Sequence, residues 1–202
     1  MNHKERMLAG LPYRAWLDGL SEERMSCAVK LHAYNLIRPD KQDELDKALV
    51  NILGKAGGGT RIMQPFHCDY GWNIEVGDNF FANYNCVILD VARVQIGRNI
   101  MLGPNVSVYT AGHPIHPDSR NTGLEYGVPA TIGDNVWIGG GTVINPGVTI
   151  GSNAVIGSGS VVTRDIPPNV IAVGNPCRVI RAITDADRRF YYKDRVFDTE
   201  DI

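Results

Sequence analysis

The stretch from 132 to 157 reads IGDNVWIGGGTVINPGVTIGSNAVIG, and its spacing decides the fold. An aliphatic residue occupies every sixth position from Ile132, and glycine follows most of these residues. A six-residue period is too short for a pair of helices or a propeller blade, and it is typical of one face of a parallel β-helix coil. We expect each aliphatic side chain to point into a narrow prism. The residue after it should turn the corner, where glycine or asparagine tolerates unusual dihedrals.

The same pattern extends in both directions from this stretch and is interrupted once. Aliphatic–glycine pairs begin at Val76-Gly77 and recur as far as Val173-Gly174. Prolines and polar residues replace them over 110–130, which we interpret as a loop that leaves the coil. A loop of this length inside a regular solenoid is more often functional than accidental. The sequence therefore predicts an all-β core, a parallel β-helix over 58–183 with an excursion loop at 110–130.

Helical patterns flank the repeat on both sides. Over 1–57 we expect a cap in which Ser21 starts one helix and Asp40 starts the next. The buried face of the first helix is predicted to comprise Met25, Ala28, Val29, His32 and Leu36. The buried stripe of the second is predicted to comprise Leu45, Leu49 and Ile52. Over 184–202 we expect a short helix, capped by Thr184 and running through Arg188 and Tyr191, and then a tail.

Composition excludes several classes of partner. The net charge is −2, with 20 Lys and Arg against 22 Asp and Glu, which gives no reason to expect nucleic acid or an anionic membrane. The N-terminus lacks the apolar run of a signal peptide, and no stretch approaches the ~18 apolar residues of a membrane span. The four cysteines form no C-x-x-C pair. These features favour a cytoplasmic protein with free thiols.

Two side chains in the excursion loop are candidates for acid–base chemistry. His113 follows a strand-like stretch at 106–109 and opens the loop, where an exposed imidazole could titrate near neutral pH. The alternative is a loop histidine without a role. Glu125 lies in the same loop and could orient His113 or stabilise its protonated form. From the residues alone, a solvated carboxylate is the simpler interpretation of Glu125.

Other side chains raise the question of a ligand. The histidines at 67, 113 and 116 match no compact zinc motif, so we predict no metal. Arg164, Arg178 and Arg181 cluster near the end of the repeat and could hold phosphates, although ordinary surface charge explains any one of them as well. Trp137 stands next to a buried position and should face outward, where it could stack on a ligand or cover a subunit interface.

Several motifs resemble the maltose O-acetyltransferases, a branch of the hexapeptide acyltransferases to which galactoside O-acetyltransferases are close. The motifs are CDYG at 68–71, NFFAN at 79–83, NVWIG at 135–139, VINPGVTIG at 143–151 and GNPCR at 174–178. The resemblance implies a left-handed parallel β-helix that forms a homotrimer. It further implies that acetyl-CoA lies in a groove between two prisms, and that the excursion loop reaches from one subunit to the next.

The resemblance also implies roles for individual residues. The catalytic histidine of the family falls on His113. The acceptor side comprises Arg24, Asp69 and Asn83, and we expect aromatic walls from Phe81, Tyr84 and Tyr126. The coenzyme side comprises Trp137, Gly140, Ser158, Thr163, Arg164, Arg178 and Arg181.

The implied reaction is direct acetyl transfer from the thioester to a hydroxyl of a maltose- or glucose-like sugar, with both substrates bound at once. His113 would act as the general base, because a free hydroxyl is a poor nucleophile at neutral pH. The N–H of Gly140 would stabilise the oxyanion, and Glu125 would hold the imidazole tautomer or offset its charge.

Alternatives remain open at this point. Within the acyltransferases, the acceptor could be a xenobiotic or a lipo-oligosaccharide. More distant alternatives are a γ-type carbonic anhydrase, which is also a trimeric β-helix but holds zinc on histidines, and a non-catalytic β-helix scaffold.

Overall fold

Three sheets, parallel except for the last strand of the second, form the body of the molecule, which the computed structural model describes over residues 1–198. The strands of the first sheet are β2 Lys55–Ala56, β5 Ile74–Val76, β8 Val94–Ile96, β13 Ala130–Ile132 and β16 Thr149–Ile150. The strands of the second are β3 Arg61–Ile62, β6 Phe80–Ala82, β9 Ile100–Leu102, β14 Trp137–Ile138, β17 Val155–Ile156, β19 Val170–Val173 and β20 Arg178–Ala182. The strands of the third are β4 Phe66–Cys68, β7 Cys86–Leu89, β10 Ser107–Tyr109, β15 Val143–Ile144 and β18 Val161–Val162.

Smaller elements surround this body. The helices are α1 His3–Leu8, α2 Leu20–Leu36, α3 Gln42–Ile52, the short α4 Pro117–Arg120 and a 3-10 helix at Asp185–Arg189. A small sheet contains β1 Tyr13–Arg14, β12 Leu124–Gly127 and β11 Ala111–Gly112, in that order. A separate hairpin pairs β21 Phe190–Tyr192 with β22 Arg195–Val196. No helix within residues 1–198 has the length and apolar character needed to cross a membrane.

The chain passes through the first, second and third sheets in turn, so each coil of the prism contains three hexads. Residues one coil apart pair in parallel: Ile132 lies beside Ile150, and Ile138 beside Ile156. The side chains of these four isoleucines are at most 2% exposed. The prediction of a hexapeptide-repeat parallel β-helix is therefore confirmed, and its hand is left-handed.

The role of the repeated glycine differs from the sequence-based expectation. Gly139, directly after Ile138, has no positive φ; a Cβ there would lie 2.5 Å from the backbone nitrogen of Ser158 in the next coil. The left-handed conformation falls two residues later, at Gly141 (φ 70°), and Asn135 takes it in the preceding hexad (φ 56°). The prediction that the residue after the aliphatic takes the unusual dihedral thus holds at Gly174 (φ 103°), where the repeat ends, and is wrong for the pairs from Val76-Gly77 to Ile156-Gly157. In those pairs glycine is required because adjacent coils approach closely.

Asparagines fill the left-handed position at one corner of successive coils and form a ladder. Each side-chain amide donates to the side-chain oxygen of the next asparagine, over distances of 2.8–3.0 Å. The ladder runs through Asn79, Asn99, Asn135, Asn153 and Asn169. Asparagine serves two purposes here, because it tolerates a positive φ and its amide both donates and accepts.

The buried face of α2 is not the predicted one. The helix begins at Leu20 after Gly19, without a side-chain cap from Ser21, and it buries Leu20, Cys27, Leu31 and Tyr34. The predicted face is largely in solvent, with Met25, Val29 and Leu36 between 63% and 69% exposed. Helix α2 has two apolar stripes, and the one that packs against the first coils of the prism and against α3 is buried.

The second helix of the cap follows the prediction more closely. Helix α3 buries Leu45, Leu49 and Ile52 as expected. Its N-cap is Lys41, without a side-chain hydrogen bond, so the predicted cap by Asp40 is wrong.

The C-terminal part of the chain turns back on the prism. Strand β20 pairs antiparallel with β19, so the second sheet ends in a reversed, exposed strand. Thr184 caps the next element as predicted, in a capping box with Asp187. That element is a 3-10 helix that ends at Arg189, because Phe190 already belongs to a hairpin; the predicted helix through Tyr191 is wrong. The last four residues of the predicted tail, 199–202, lie outside the described residues.

The excursion loop contains regular structure and is attached to the cap. Strands β11 and β12 pair antiparallel, and Gly112 lies opposite Tyr126. Strand β1 of the cap pairs with β12 on its other side, and Tyr13 lies opposite Glu125. The loop is therefore held at a defined position beside the prism.

Candidate active site

His113 follows β11 at the start of the excursion, and its ring is oriented by the backbone. Its Nδ1 lies 3.3 Å from the carbonyl oxygen of Leu124. Because a carbonyl only accepts hydrogen bonds, this contact requires the proton to be on Nδ1 and leaves the lone pair on Nε2. The side chain is 54% exposed, so Nε2 is accessible to a substrate.

Glu125 approaches the other side of the same ring. Its Oε2 lies 3.9 Å from His113 Nε2, and its side chain is only 15% exposed. Its Oε1 accepts a hydrogen bond from the hydroxyl of Tyr13. Of the two roles suggested from sequence for Glu125, the Leu124 carbonyl rather than Glu125 is in position to hold the tautomer. Offsetting the charge of a protonated ring remains available to Glu125.

Tyr13 was missed by the sequence analysis. Its side chain is fully buried, and burial and the hydrogen bond to Glu125 raise the pKa of its hydroxyl far above its usual range. The partner lies 112 residues away in sequence, so no local spacing could have indicated this contact.

Polar groups from α2 and from the turn after β4 extend the site. Arg24 Nη1 donates to the hydroxyl of Tyr70 over 2.7 Å. Burial raises the pKa of the half-buried Asp69. The charge of Arg24 lowers this pKa, and the charge of Glu125 raises it further. The charges of Arg24 and Glu125 are thus both near enough to act on the Asp69 carboxyl.

A buried carboxylate supports this turn from below. Asp90 is fully buried, and it accepts hydrogen bonds from the backbone nitrogens of Asp69 (3.0 Å), Tyr70 (2.9 Å) and Asn73 (3.3 Å). Burial raises the pKa of Asp90 to about 7. This supporting role depends on contacts between coils, so no local sequence pattern could have indicated it.

These residues lie along one edge of the prism, where the chain leaves the strands of the third sheet; we call it the third–first edge. Asp69 follows β4, Asp90 follows β7, and His113 opens the excursion after β10. Thr163 and Arg164 follow β18 and lie further along the same edge, both exposed.

A second group of predicted site residues lies along a different edge, where the chain leaves the second sheet; we call it the second–third edge. Asn83 follows β6, Gly140 follows β14 and Ser158 follows β17. Within residues 1–198, the N–H of Gly140 donates to no protein acceptor, as the proposed oxyanion donor requires.

Aromatic side chains lie beside this second group. Phe81 and Trp137 face outward from β6 and β14, with Met101 between them in register. Trp137 is 52% exposed and Tyr84 is 51% exposed, so both are accessible to a ligand.

Two of the predicted phosphate-binding arginines lie on β20. Arg178 is exposed, and its Nη1 donates to the carbonyl oxygen of Cys177 over 2.8 Å. Arg181 forms a two-pronged ion pair with Asp187, at 2.9 and 2.7 Å, which holds the pKa of that carboxyl down at about 2. The charge of Arg181 is thus already compensated by Asp187. Among the described residues, no carboxylate forms an ion pair with Arg178.

Comparisons with known proteins identify the family. Two family models match, "Bacterial transferase hexapeptide (six repeats)" over residues 129–164 and "Maltose acetyltransferase hexapeptide capping motif" over residues 6–57. A maltose O-acetyltransferase from Clostridium difficile 630 is 52% identical with a TM-score of 0.90, covering 92% of this chain and 99% of that one. A galactoside acetyltransferase solved in complex with coenzyme A is 43% identical with a TM-score of 0.95, covering 98% and 100%. Nodulation protein L of Rhizobium meliloti is 50% identical, covering 87% and 96%.

The chain belongs to the hexapeptide-repeat acetyltransferases of the galactoside and maltose type. The resemblance seen in the sequence motifs is therefore confirmed. Within one chain of this acetyltransferase, the third–first edge brings together His113, Glu125, Asp69 and Arg24, with Tyr126 in the adjoining strand. The residues of the second–third edge lie apart from them.

Residues 1–198 contain no group of three His, Cys, Asp or Glu side chains arranged to hold an ion. His113 instead faces Glu125, and His116 caps the short helix α4 through its Nδ1.

Proposed function

We propose that this acetyltransferase transfers the acetyl group of acetyl-CoA to a hydroxyl of a maltose- or glucose-like sugar. The observation that carries the proposal is the environment of His113: Nδ1 faces a carbonyl, and the accessible Nε2 faces a carboxylate at 3.9 Å. This arrangement suits a general base that becomes positively charged as it takes a proton. The relatives that act on sugars, and the one solved with coenzyme A, support the same reaction.

The transfer proceeds by direct attack with both substrates bound. The acceptor oxygen forms a bond to the thioester carbon while His113 Nε2 takes the hydroxyl proton. The tetrahedral intermediate carries its negative charge on the former carbonyl oxygen, which the N–H of Gly140 stabilises. Collapse breaks the carbon–sulfur bond, and His113 returns the proton to the leaving sulfur. Glu125 stabilises the protonated ring between these steps.

The location of the two residue groups supports a homotrimer with shared sites. His113 lies on the third–first edge, whereas Trp137 lies on the second sheet and Gly140 lies on the second–third edge. A base and an oxyanion donor must face the same thioester, so we propose that the third–first edge of one subunit faces the second–third edge of its neighbour. The coenzyme then lies in the groove between them.

Oligomeric mass tests this arrangement. We expect light scattering at micromolar protein concentration to give a mass three times the 22.2 kDa of one chain. A monomer that retains activity would contradict both the trimer and the shared site.

The acceptor pocket is proposed to combine polar contacts with aromatic walls. Arg24, Asp69 and Asn83 supply the charges and the amide that bind sugar hydroxyls, and the walls are Phe81, Tyr84 and Tyr126. A lipo-oligosaccharide acceptor is the second candidate, because nodulation protein L is 50% identical to this chain. Family membership disfavours the carbonic anhydrase and scaffold interpretations, and no contact in the structure favours a xenobiotic over a sugar.

An acceptor screen tests the proposed function. Purified protein is incubated with acetyl-CoA and maltose, glucose, galactosides or chitin oligosaccharides, and release of the free thiol is recorded. We expect release that depends on acceptor and protein, with maltose or glucose preferred, and a mass increase of one acetyl group on the sugar. Thiol release without an acetylated product would mean hydrolysis and would refute the proposal.

The two arginines on β20 lead to a prediction about the coenzyme. Phosphate contacts lie far from the reacting carbon, so they stabilise the ground and transition states alike. Arg178→Ala should therefore raise the KM for acetyl-CoA by roughly fivefold to thirtyfold at low salt and leave kcat and the acceptor KM near normal. Arg181→Ala should have a smaller effect, because Asp187 already neutralises this arginine.

Steady-state kinetics at two ionic strengths measure these effects, which should weaken as salt screens the attraction. The matched control is Arg38→Ala, an exposed arginine of the cap that is paired with Asp40. An acetyl-CoA KM that is the same in Arg178→Ala and in the control would show that the coenzyme phosphates bind elsewhere.

We further propose that the protein acts in the cytoplasm on small-molecule acceptors, without nucleic acid or membrane as partner. All four cysteines are free thiols, which fits a reducing compartment.

A further inference from the structure

Tyr13 connects the helical cap to the candidate base. Its ring is fully buried beside Met7, Leu20, Tyr70 and Val91, in a small core separate from that of the prism. Its hydroxyl nevertheless points out of this core and donates to Glu125 Oε1. A buried hydroxyl aimed at a carboxylate is a specific arrangement, because the ring has little freedom to move.

The contact orients the carboxylate. Glu125 has two oxygens: Oε1 is occupied by Tyr13, and Oε2 lies 3.9 Å from His113 Nε2. The backbone is fixed at the same place, because Tyr13 and Glu125 are directly opposite in the β1–β12 pair. A glutamate in solution would rotate freely about its side-chain bonds, whereas here strand pairing and the hydroxyl together point Oε2 at the ring.

The other charges around Tyr13 do not replace this contact. Arg24 interacts with Tyr13 electrostatically, but its guanidinium donates to the hydroxyl of Tyr70. Asp69 carries the same charge as Glu125 and cannot donate to it when ionised. Within residues 1–198, Tyr13 is therefore the side chain that donates a hydrogen bond to the Glu125 carboxylate.

We propose that Tyr13 is a positioning residue for acetyl transfer: it holds Glu125 so that the carboxylate faces His113 Nε2. The helical cap thereby contributes to the reaction as well as to acceptor binding. This inference rests on the proposed function, in which His113 is the base.

A double-mutant cycle tests the inference. Tyr13→Phe deletes one oxygen and keeps the buried ring. We expect it to lower kcat about tenfold, the order expected when a hydrogen bond to a charged group is lost, with the KM for acetyl-CoA unchanged. Glu125→Ala should lower kcat at least as much. In the Glu125→Ala background, Tyr13→Phe should have no further effect, because the group through which Tyr13 acts is absent.

Tyr34→Phe is the matched control. Tyr34 is also fully buried, and its hydroxyl donates to the backbone oxygen of Ile62 under the cap, so the same atom is deleted without loss of a contact to Glu125. We expect this variant to lose thermal stability and to keep the wild-type kcat. An equal loss of kcat in Tyr13→Phe and Tyr34→Phe would identify a general effect of loosening the cap and would overturn the inference.

A spectroscopic measurement separates this inference from the proposed function. In ¹⁵N-labelled protein without substrates, the ring nitrogens of His113 should change their chemical shifts in Tyr13→Phe and Glu125→Ala, and stay unchanged in Tyr34→Phe. If wild-type protein acetylates no acceptor, the proposed function fails, and these shifts still report whether Tyr13 positions Glu125. Unchanged shifts in Tyr13→Phe, or a loss of kcat that persists in the Glu125→Ala background, would overturn the inference.

Discussion

Replacing His113 with alanine should lower kcat by roughly 10²–10⁴, the range that a positioned general base contributes. The variant keeps the proposed Gly140 donor and the proposed coenzyme groove, so binding of acetyl-CoA should barely change. The loss should appear in kcat and in kcat/KM for the acceptor to a similar degree, because the base acts in the transition state.

Steady-state kinetics and a coenzyme-binding titration measure the two parts of this prediction. His116→Ala is the matched control, because His116 is an exposed histidine of the same loop whose ring only caps α4. We expect the control to stay within about twofold of wild-type kcat, as expected for a surface substitution. Near-wild-type kcat in His113→Ala would exclude this residue as the base.

The second large effect concerns the packing of the coils. Gly77→Ala should lower the free energy of unfolding by about 2–3 kcal/mol. The new Cβ would lie 2.8 Å from the backbone nitrogen of Arg98 and 2.8 Å from the carbonyl carbon of Gly97, both in the next coil. Backbone atoms cannot rotate away as a side chain does, so the coils must separate and weaken the hydrogen bond from Gly77 to Ile96, now 2.9 Å.

Gly58→Ala is the matched control for this substitution. Gly58 has no positive φ, and the nearest atom to its Cβ is a side-chain oxygen of Asp78 at 3.6 Å. The added methyl has space there, and we expect a change within about 0.5 kcal/mol, as at most surface positions. Denaturant unfolding compares the two variants. Equal stabilities would show that glycine after the aliphatic is not required for close coil approach.

The prism could be predicted from sequence because its rule is local and repeats. An inward aliphatic every six residues predicts Ile138 and Ile144 as core, and both are fully buried. The reason for glycine was not predictable in the same way, because close approach involves a residue one coil away. The buried face of α2 also depends on distant contacts: Met25 and Cys27 are both apolar, and only docking on the prism buries Cys27 and exposes Met25.

The candidate site was predictable in part. Asp69 lies in a family motif, His113 and Glu125 were candidates because they lie in the excursion loop, and the structure places Glu125 beside His113. Tyr13 was not identified, because the pairing of β1 with β12 joins segments with no common motif. Gly140 follows a strand of the second sheet, whereas His113 follows a strand of the third sheet, so the two residues lie on different edges of the prism. Predicting this separation would have required the order of the strands around the prism.

The excursion loop has a consequence for how such enzymes diversify. The two ends of the loop meet, since the backbone N–H of Val128 donates to the carbonyl of Thr110 over 2.8 Å. The third sheet is not interrupted by the loop, because β10 pairs directly with β15 of the next coil. Changing the length of a loop closed in this way costs little, because closure entropy grows slowly with length. Insertions or deletions around α4, between β11 and β12, can therefore leave the coils in register and keep Glu125 paired opposite Tyr13. Such changes would alter the surroundings of His113 without weakening the prism.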